Sequence, residues 1–134
     1  MTTPNRQPPR VLFVDDEPNI RRALQRALLR EPFDVHLAAT SAEALALAAS
    51  FTFDVVVTDY LLDTMTGIQL VGELRKLQPD AVYILVSANY DPIANRAELE
   101  AAHIDLFFEK PWSTRDLVVA LTNVTGDRFP GSDD

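Results

Sequence analysis

Apolar runs of strand length alternate with stretches of helical periodicity five times along this chain, and that alternation restricts the fold more than any other feature. The runs are Arg10 to Val14, Asp34 to Ala39, Phe53 to Thr58, Ala81 to Val86 and Ile104 to Phe108. Val11-Leu12-Phe13-Val14 and Val55-Val56-Val57 are continuously apolar, as strands buried on both faces are. Between the runs, Ile20, Ala23, Leu24, Ala27 and Leu28 fall at helical spacing, and so do Leu70, Val71, Leu74 and Leu77. Thr40 with Glu43 is a capping-box pattern that opens the second helix, and Ser113 with Asp116 opens the last, whose Leu117, Val118, Leu121 and Val124 are expected to face inward. Pro18 suits a first helical turn, and Pro32 and Pro79 stop helices. The fourth helix, roughly Pro92 to Ala102, has a thin stripe of Ile93, Ala97 and Ala101, so it is expected to be the least firmly packed element.

Such a βα alternation specifies an α/β fold: a doubly wound, five-stranded parallel sheet with five helices on its two faces. Right-handed crossovers leave few topologies, and the common five-stranded one is flavodoxin-like, with strand order 2-1-3-4-5 and its site at the carboxyl ends of the strands.

With 134 residues, the chain is expected to form one domain over 10–125, after a disordered lead-in at 1–9 and before a flexible tail or linker start at 126–134. The sequence has no apolar run long enough to cross a membrane, no signal-like leader in its first ten residues and no cysteine, so a cytoplasmic, disulfide-free protein is expected. A net charge of −8 disfavours direct binding of nucleic acid by this domain and is compatible with holding a cation. His36 and His103 lack metal-ligand spacing and read as ordinary surface or edge residues.

Four strands end in residues of useful chemistry: Asp15-Asp16 after the first, Asp59 after the third, Ser87 after the fourth and Lys110 after the fifth. In the expected architecture these ends share one edge of the sheet. Two carboxylates ~5 Å apart at an effective dielectric of ~20 repel by roughly 3 kcal/mol. Taken alone, Asp15-Asp16-Glu17 could equally be a solvated turn or part of a cation site. Convergence with Asp59 favours the cation, and clustered carboxylates with room for water suit Mg²⁺. A carboxylate can also act as a nucleophile toward phosphorus, and phosphoryl transfer asks mainly for alignment and charge neutralisation, which Mg²⁺ and Lys110 would supply while Ser87 donates a hydrogen bond.

At these residues the chain resembles the receiver domains of two-component response regulators, over about residues 10 to 125. The resemblance rests on Asp15-Asp16, Asp59, Ser87-Ala88 and Lys110-Pro111, in that order and spacing. It implies that Asp59 is the phosphoacceptor, taking phosphate from the histidine of a sensor kinase or phosphotransfer protein. It implies that Asp16 and Asp59 bind Mg²⁺ directly together with the Leu61 backbone carbonyl, and that Asp15 acts mainly through water. Lys110 would pair with the phosphoryl group, Ser87 would swing toward it, and Phe107 would turn inward as the aromatic switch. The readout would be the surface of the fourth helix, fifth strand and fifth helix, available to an output domain or a second copy. The Lys110-Pro111 bond is cis in most such domains. The resemblance implies a phosphorylation switch, not an enzyme beyond self-phosphorylation and slow autodephosphorylation.

Departures from the pattern are Asp63 where proline is usual, expected to loosen the loop, Phe107 where tyrosine is also frequent, and His103 where glycine is common. Two alternatives stand beside this reading. One is a degenerate receiver serving as a docking module. The other is a Mg²⁺-dependent phosphatase with an aspartyl-phosphate intermediate, disfavoured because Tyr60 and Leu61 follow Asp59 where a second acid would be needed. A nucleotide-binding fold is set low, because the chain has only four glycines and no glycine-rich loop after the first strand. Trp112 is either a docking residue or a cover for the sheet end. Asn19 and Arg22 could meet a kinase but read more simply as a solvated face.

Overall fold

A computed structural model describes residues 8–88, 90–110 and 113–128. Five strands, β1 (Arg10–Val14), β2 (Asp34–Ala38), β3 (Val55–Asp59), β4 (Val82–Ser87) and β5 (Leu106–Glu109), alternate with five helices, α1 (Pro18–Ala27), α2 (Ser41–Ser50), α3 (Gly67–Leu77), α4 (Arg96–Ala101) and α5 (Thr114–Arg128). All strand pairs are parallel, in the order β2-β1-β3-β4-β5, as the alternation requires.

Alternation along each strand divides the core into two layers. Val11, Phe13, Val55, Val57, Ile84 and Val86 face Leu24 and Leu28 at and just beyond α1 and Leu117 and Leu121 of α5. Leu12, Val14, Val56 and Tyr83 face Ala44 and Ala48 of α2 and Leu70, Val71 and Leu74 of α3. Every residue of Val11 to Val14 is fully buried, which accounts for the absence of polar alternation there. Ala44 and Ala48 of α2 pack on the sheet beside the leucines of α3, and leucines at α1 and α5 cover the opposite face.

Register brings the strand ends level. Val14 pairs with Thr58, Asp59 with Val86, and Ser87 with Glu109. β3 and β4 each run one residue further than expected, so that Asp59 and Ser87 are themselves the last residues of their strands.

Local chemistry fixes the helix starts. Thr40 accepts from the Glu43 N–H at 3.1 Å, while the Glu43 carboxylate takes the Ala39 N–H at 2.7 Å, so the box reaches one residue further back than the usual pairing. A complete capping box opens α3, with the Thr66 side chain on the Gln69 N–H and the Gln69 side chain on the Thr66 N–H. Its Thr-x-x-Gln signature is present in the sequence.

Some boundaries differ from expectation. α4 begins at Arg96, not Pro92, because the Asp91 carboxylate takes the N–H groups of Ile93 and Ala94 and folds that segment as a turn. Ile93, Ala97 and Ala101, expected to face inward, are all exposed, and Leu99 is the half-buried residue of the helix. β5 begins at Leu106, since the chain turns sharply at His103, where φ is 57°. α5 continues to Arg128, past the expected boundary at 125. At the other end, the Pro9 carbonyl, expected in the lead-in, accepts from the Asp34 N–H at 2.8 Å. Among the described residues no helix is long and apolar enough to cross a membrane.

Candidate functional site

Asp15 follows β1 and prolongs its ladder, its N–H donating to Ala38 O at 3.1 Å. Its side chain is buried, and Oδ1 accepts the Glu17 N–H at 2.9 Å, closing a turn that sends the chain into α1 at Pro18. Arg21, one turn into α1, donates Nη1 to the Asp15 carbonyl at 2.8 Å. The tight turn leaves Asp16 exposed at the mouth.

Asp59 enters from β3, its side chain 12% exposed. The Tyr60 N–H donates to Val86 O at 2.8 Å, and the Gly67 N–H donates to Tyr60 O at 2.7 Å, so the chain leaves the sheet and returns at once toward α3. A Cβ on Gly67 would lie 2.3 Å from the Asp59 carbonyl oxygen, and only glycine permits that approach. Lys110 follows β5, its N–H donating to Ser87 O at 2.9 Å. Its ammonium lies 3.0 Å from Asp15 Oδ2 and 3.1 Å from Asp59 Oδ2, with Glu17 Oε1 at 4.0 Å. Ser87 is buried at the end of β4, one residue past the partner of Asp59.

Carboxylate oxygens of Asp15, Asp16 and Asp59 lie within 4.8 Å of one another. Three carboxylates against the Lys110 ammonium leave an excess of negative charge that a divalent ion would offset. The donors are all hard oxygens, from the buried Asp15, the half-buried Asp59 and the exposed Asp16, and that set fits Mg²⁺ or Ca²⁺. Burial raises the Asp59 carboxyl above its ordinary value of 3.8, outweighing the Lys110 charge that pulls it down, and the Asp15 charge adds to the rise. Burial also works against the charge on Lys110, but its hydrogen bond to Asp15 and the fields of Asp15 and Asp59 prevail and hold it above its ordinary 10.5.

Beside this cluster stands a stack of aromatic rings that the sequence reading did not find. The Tyr60 ring lies 4.6 Å from Tyr90, and Tyr90 lies 5.6 Å from Phe107. The Tyr90 hydroxyl donates to Glu98 Oε1 of α4 at 2.5 Å, and burial, then this bond, pushes its pKa up. Phe107 is half-buried at the far end of the stack. Spacing alone could not have found it, because Tyr60, Tyr90 and Phe107 come from three separate segments.

Of the residues expected at the site, Asp15, Asp16, Asp59 and Lys110 are in direct proximity, and Ser87 ends the neighbouring strand. Leu61 lies in the loop after Asp59 with its side chain exposed. Asp63 does not loosen this loop: its Oδ1 accepts the Ser41 N–H at 3.1 Å. The Lys110-Pro111 bond and Trp112 involve residues outside those described.

The response regulator receiver domain model matches residues 11–122. The chain belongs to the response regulator receiver domain family. This receiver is 34% identical over 109 residues to the transcriptional regulatory protein SrrA of Staphylococcus aureus, a match covering 81% of this chain and 44% of the relative. The chain therefore spans less than half the length of the curated relatives it matches. Among solved structures, the receiver is similar to a CheY-like response regulator receiver domain protein from Methanospirillum hungatei JF-1, at 27% identity and a TM-score of 0.84, covering 92% of this chain and 98% of that one. It is similar also to a response regulator protein from Burkholderia pseudomallei with a phosphorylated aspartic acid, a calcium ion and citrate, at 28% identity and a TM-score of 0.76, covering 92% of this chain and 73% of that one. As expected, the fold is the flavodoxin-like order that these receivers share.

Proposed function

We propose that this receiver accepts a phosphoryl group on Asp59 from the phosphohistidine of a sensor kinase or phosphotransfer protein. One observation carries the reading: the Asp59 carboxylate ends β3 with Lys110 Nζ at 3.1 Å and the carboxylates of Asp15 and Asp16 beside it. An Asp59 oxygen attacks phosphorus, the phosphorus–nitrogen bond to histidine breaks, and an acyl phosphate forms. Asp16, Asp59 and the Leu61 carbonyl would hold Mg²⁺, with Asp15 reaching it through water. When bound, Mg²⁺ supplies charge neutralisation at the phosphoryl oxygens.

Lys110 has a second duty. In the structure it bridges Asp15 and Asp59. Once Asp59 is phosphorylated, the ammonium pairs with a phosphoryl oxygen while keeping Asp15. Ser87 then donates its hydroxyl to the phosphoryl group from the end of β4. The movement is transmitted to Phe107, and the surface of α4, β5 and α5 shifts between two populations. An output domain, a second copy or a separate partner reads that surface in the cytoplasm. The phosphorylated aspartate of the Burkholderia relative supports the acceptor assignment.

The test is labelling by acetyl phosphate and binding of beryllofluoride, each with Mg²⁺. One site should be modified, and Asp59→Asn should abolish it. Undiminished labelling of Asp59→Asn would reject Asp59 as the acceptor. Steady turnover of small phosphomonoesters would favour a phosphatase instead.

A further inference from the structure

The loop from Tyr60 to Thr66 leads from the end of β3 to α3 and contains Leu61, whose carbonyl the metal reading assigns to the cation. Its two ends are secured by backbone bonds: Tyr60 to Val86, Gly67 to Tyr60, and a bridge between Leu61 and Thr66. Its tip leans outward, onto α2. There Asp63 Oδ1 accepts the Ser41 N–H at 3.1 Å, and Ser41 Oγ lies 3.1 Å from Thr64 Oγ1. Ser41 is buried and is the first residue of α2, while Thr40 caps that helix independently.

We propose that Asp63, with Thr64, is a positioning residue that fixes the loop tip against α2 and so restrains the Leu61 carbonyl that would help hold a divalent ion. The proposal rests on the metal reading above. A proline at this position would stiffen the loop by fixing its own φ. Here a side-chain tie to a neighbouring helix does that work, so the geometry of the cation site depends on where α2 begins. Asp63 sits two residues from Leu61, and any swing of the tip is passed to that carbonyl across a single intervening residue, Leu62. Leu62 and Met65 are partly buried against the core on the same side and limit the swing without fixing its direction.

Three variants test this: Asp63→Ala, which removes the tie; Asp63→Asn, whose amide oxygen can still accept the Ser41 N–H; and Thr64→Val, which removes the second contact. Mg²⁺ binding is measured by calorimetry, and amide exchange over residues 61–66 is measured without metal. Asp63→Ala should weaken Mg²⁺ binding roughly 3- to 10-fold, the range of one hydrogen bond, and speed amide exchange in the loop. Asp63→Asn should stay within about twofold of the wild type. Thr64→Val should lie between them, and all three should keep the wild-type melting temperature within a few degrees in chelator. Wild-type affinity in Asp63→Ala overturns the proposal. So does an equal loss in Asp63→Asn, because charge and not the tie would then be at work. A wild-type protein that binds no Mg²⁺ overturns the metal reading and the proposal with it, whereas binding that Asp63→Ala leaves intact overturns the proposal alone.

Discussion

Asp59 is held in tension between burial and the Lys110 ammonium, and its raised pKa has a consequence for stability. The sign follows from linkage: a carboxyl whose folded pKa exceeds its unfolded value of 3.8 opposes folding when ionised in both states, and that opposition vanishes once both states are protonated. Metal-free Asp59→Asn should therefore melt above the wild type at pH 7. The gap should close as pH falls through the raised pKa toward 3.8, and thermal melts across that range check it. Gly67 gives a sharper case. Its φ is not in the left-handed region, so space and not backbone freedom demands glycine. Gly67→Ala sets a Cβ 2.3 Å from the Asp59 carbonyl oxygen and 3.0 Å from Leu85, and α3 must back away. The expected loss is about 3 kcal/mol in urea unfolding, with weaker Mg²⁺ binding as α3 drags the Asp59 backbone. The residues that the structure gathers at the strand ends were legible because each closely follows an apolar run. His103 was legible only as a departure from a glycine pattern, and its φ of 57° supplies the reason. Asp63 was misread, because a carboxylate in a loop does not announce which distant N–H it will take.

Among the elements, α3 is tied to its surroundings by a residue no pattern singles out. Gln78, buried at its C-terminal end, donates Nε2 to Ala48 O at 2.8 Å and to Phe51 O at 2.6 Å, and accepts the Phe53 N–H at 2.9 Å. Its own carbonyl accepts the Tyr83 hydroxyl at 2.7 Å. One amide side chain thus joins the end of α2, the approach to β3 and the end of α3. Gln78→Leu keeps the volume and strands these backbone groups away from water. It should cost about 3 kcal/mol, read as a lower urea midpoint with an unchanged slope. Helical stripes revealed α1, α3 and α5 because most of their leucines and valines reach the core at regular intervals, although Leu77, expected on the α3 stripe, is exposed at the end of that helix. The same test failed on α4, where exposed alanines mimicked an inward face. The limits of β5 and α5 were also missed, since a turn at His103 and a helix continuing through Gly126 leave no hydrophobic mark.

Taken whole, the molecule gathers its chemistry at one rim of a sheet whose interior is apolar on both faces. Strand order was legible because crossover handedness leaves few parallel arrangements, whereas contacts across that rim, such as the Tyr60, Tyr90 and Phe107 stack, depend on loops no rule predicts. A site with excess negative charge in the metal-free fold should couple ion binding to global stability. At a hundredfold excess over its dissociation constant, Mg²⁺ should add about 2.7 kcal/mol, or roughly 8 °C in melting temperature for a domain of this size. Chelator should reverse the gain, and Asp16→Asn should largely remove it.

The fourth helix has six residues and none of them is buried. Its attachments are polar: Glu98 to the Tyr90 hydroxyl at one side, and the carbonyls of Ala102 and His103, just past its end, to Arg75. An element whose apolar contact is limited to the half-buried Leu99 has little to forfeit when displaced. Its amides should exchange well before those of the central strands, and a disturbance arriving from β4 would displace it ahead of the rest of the scaffold.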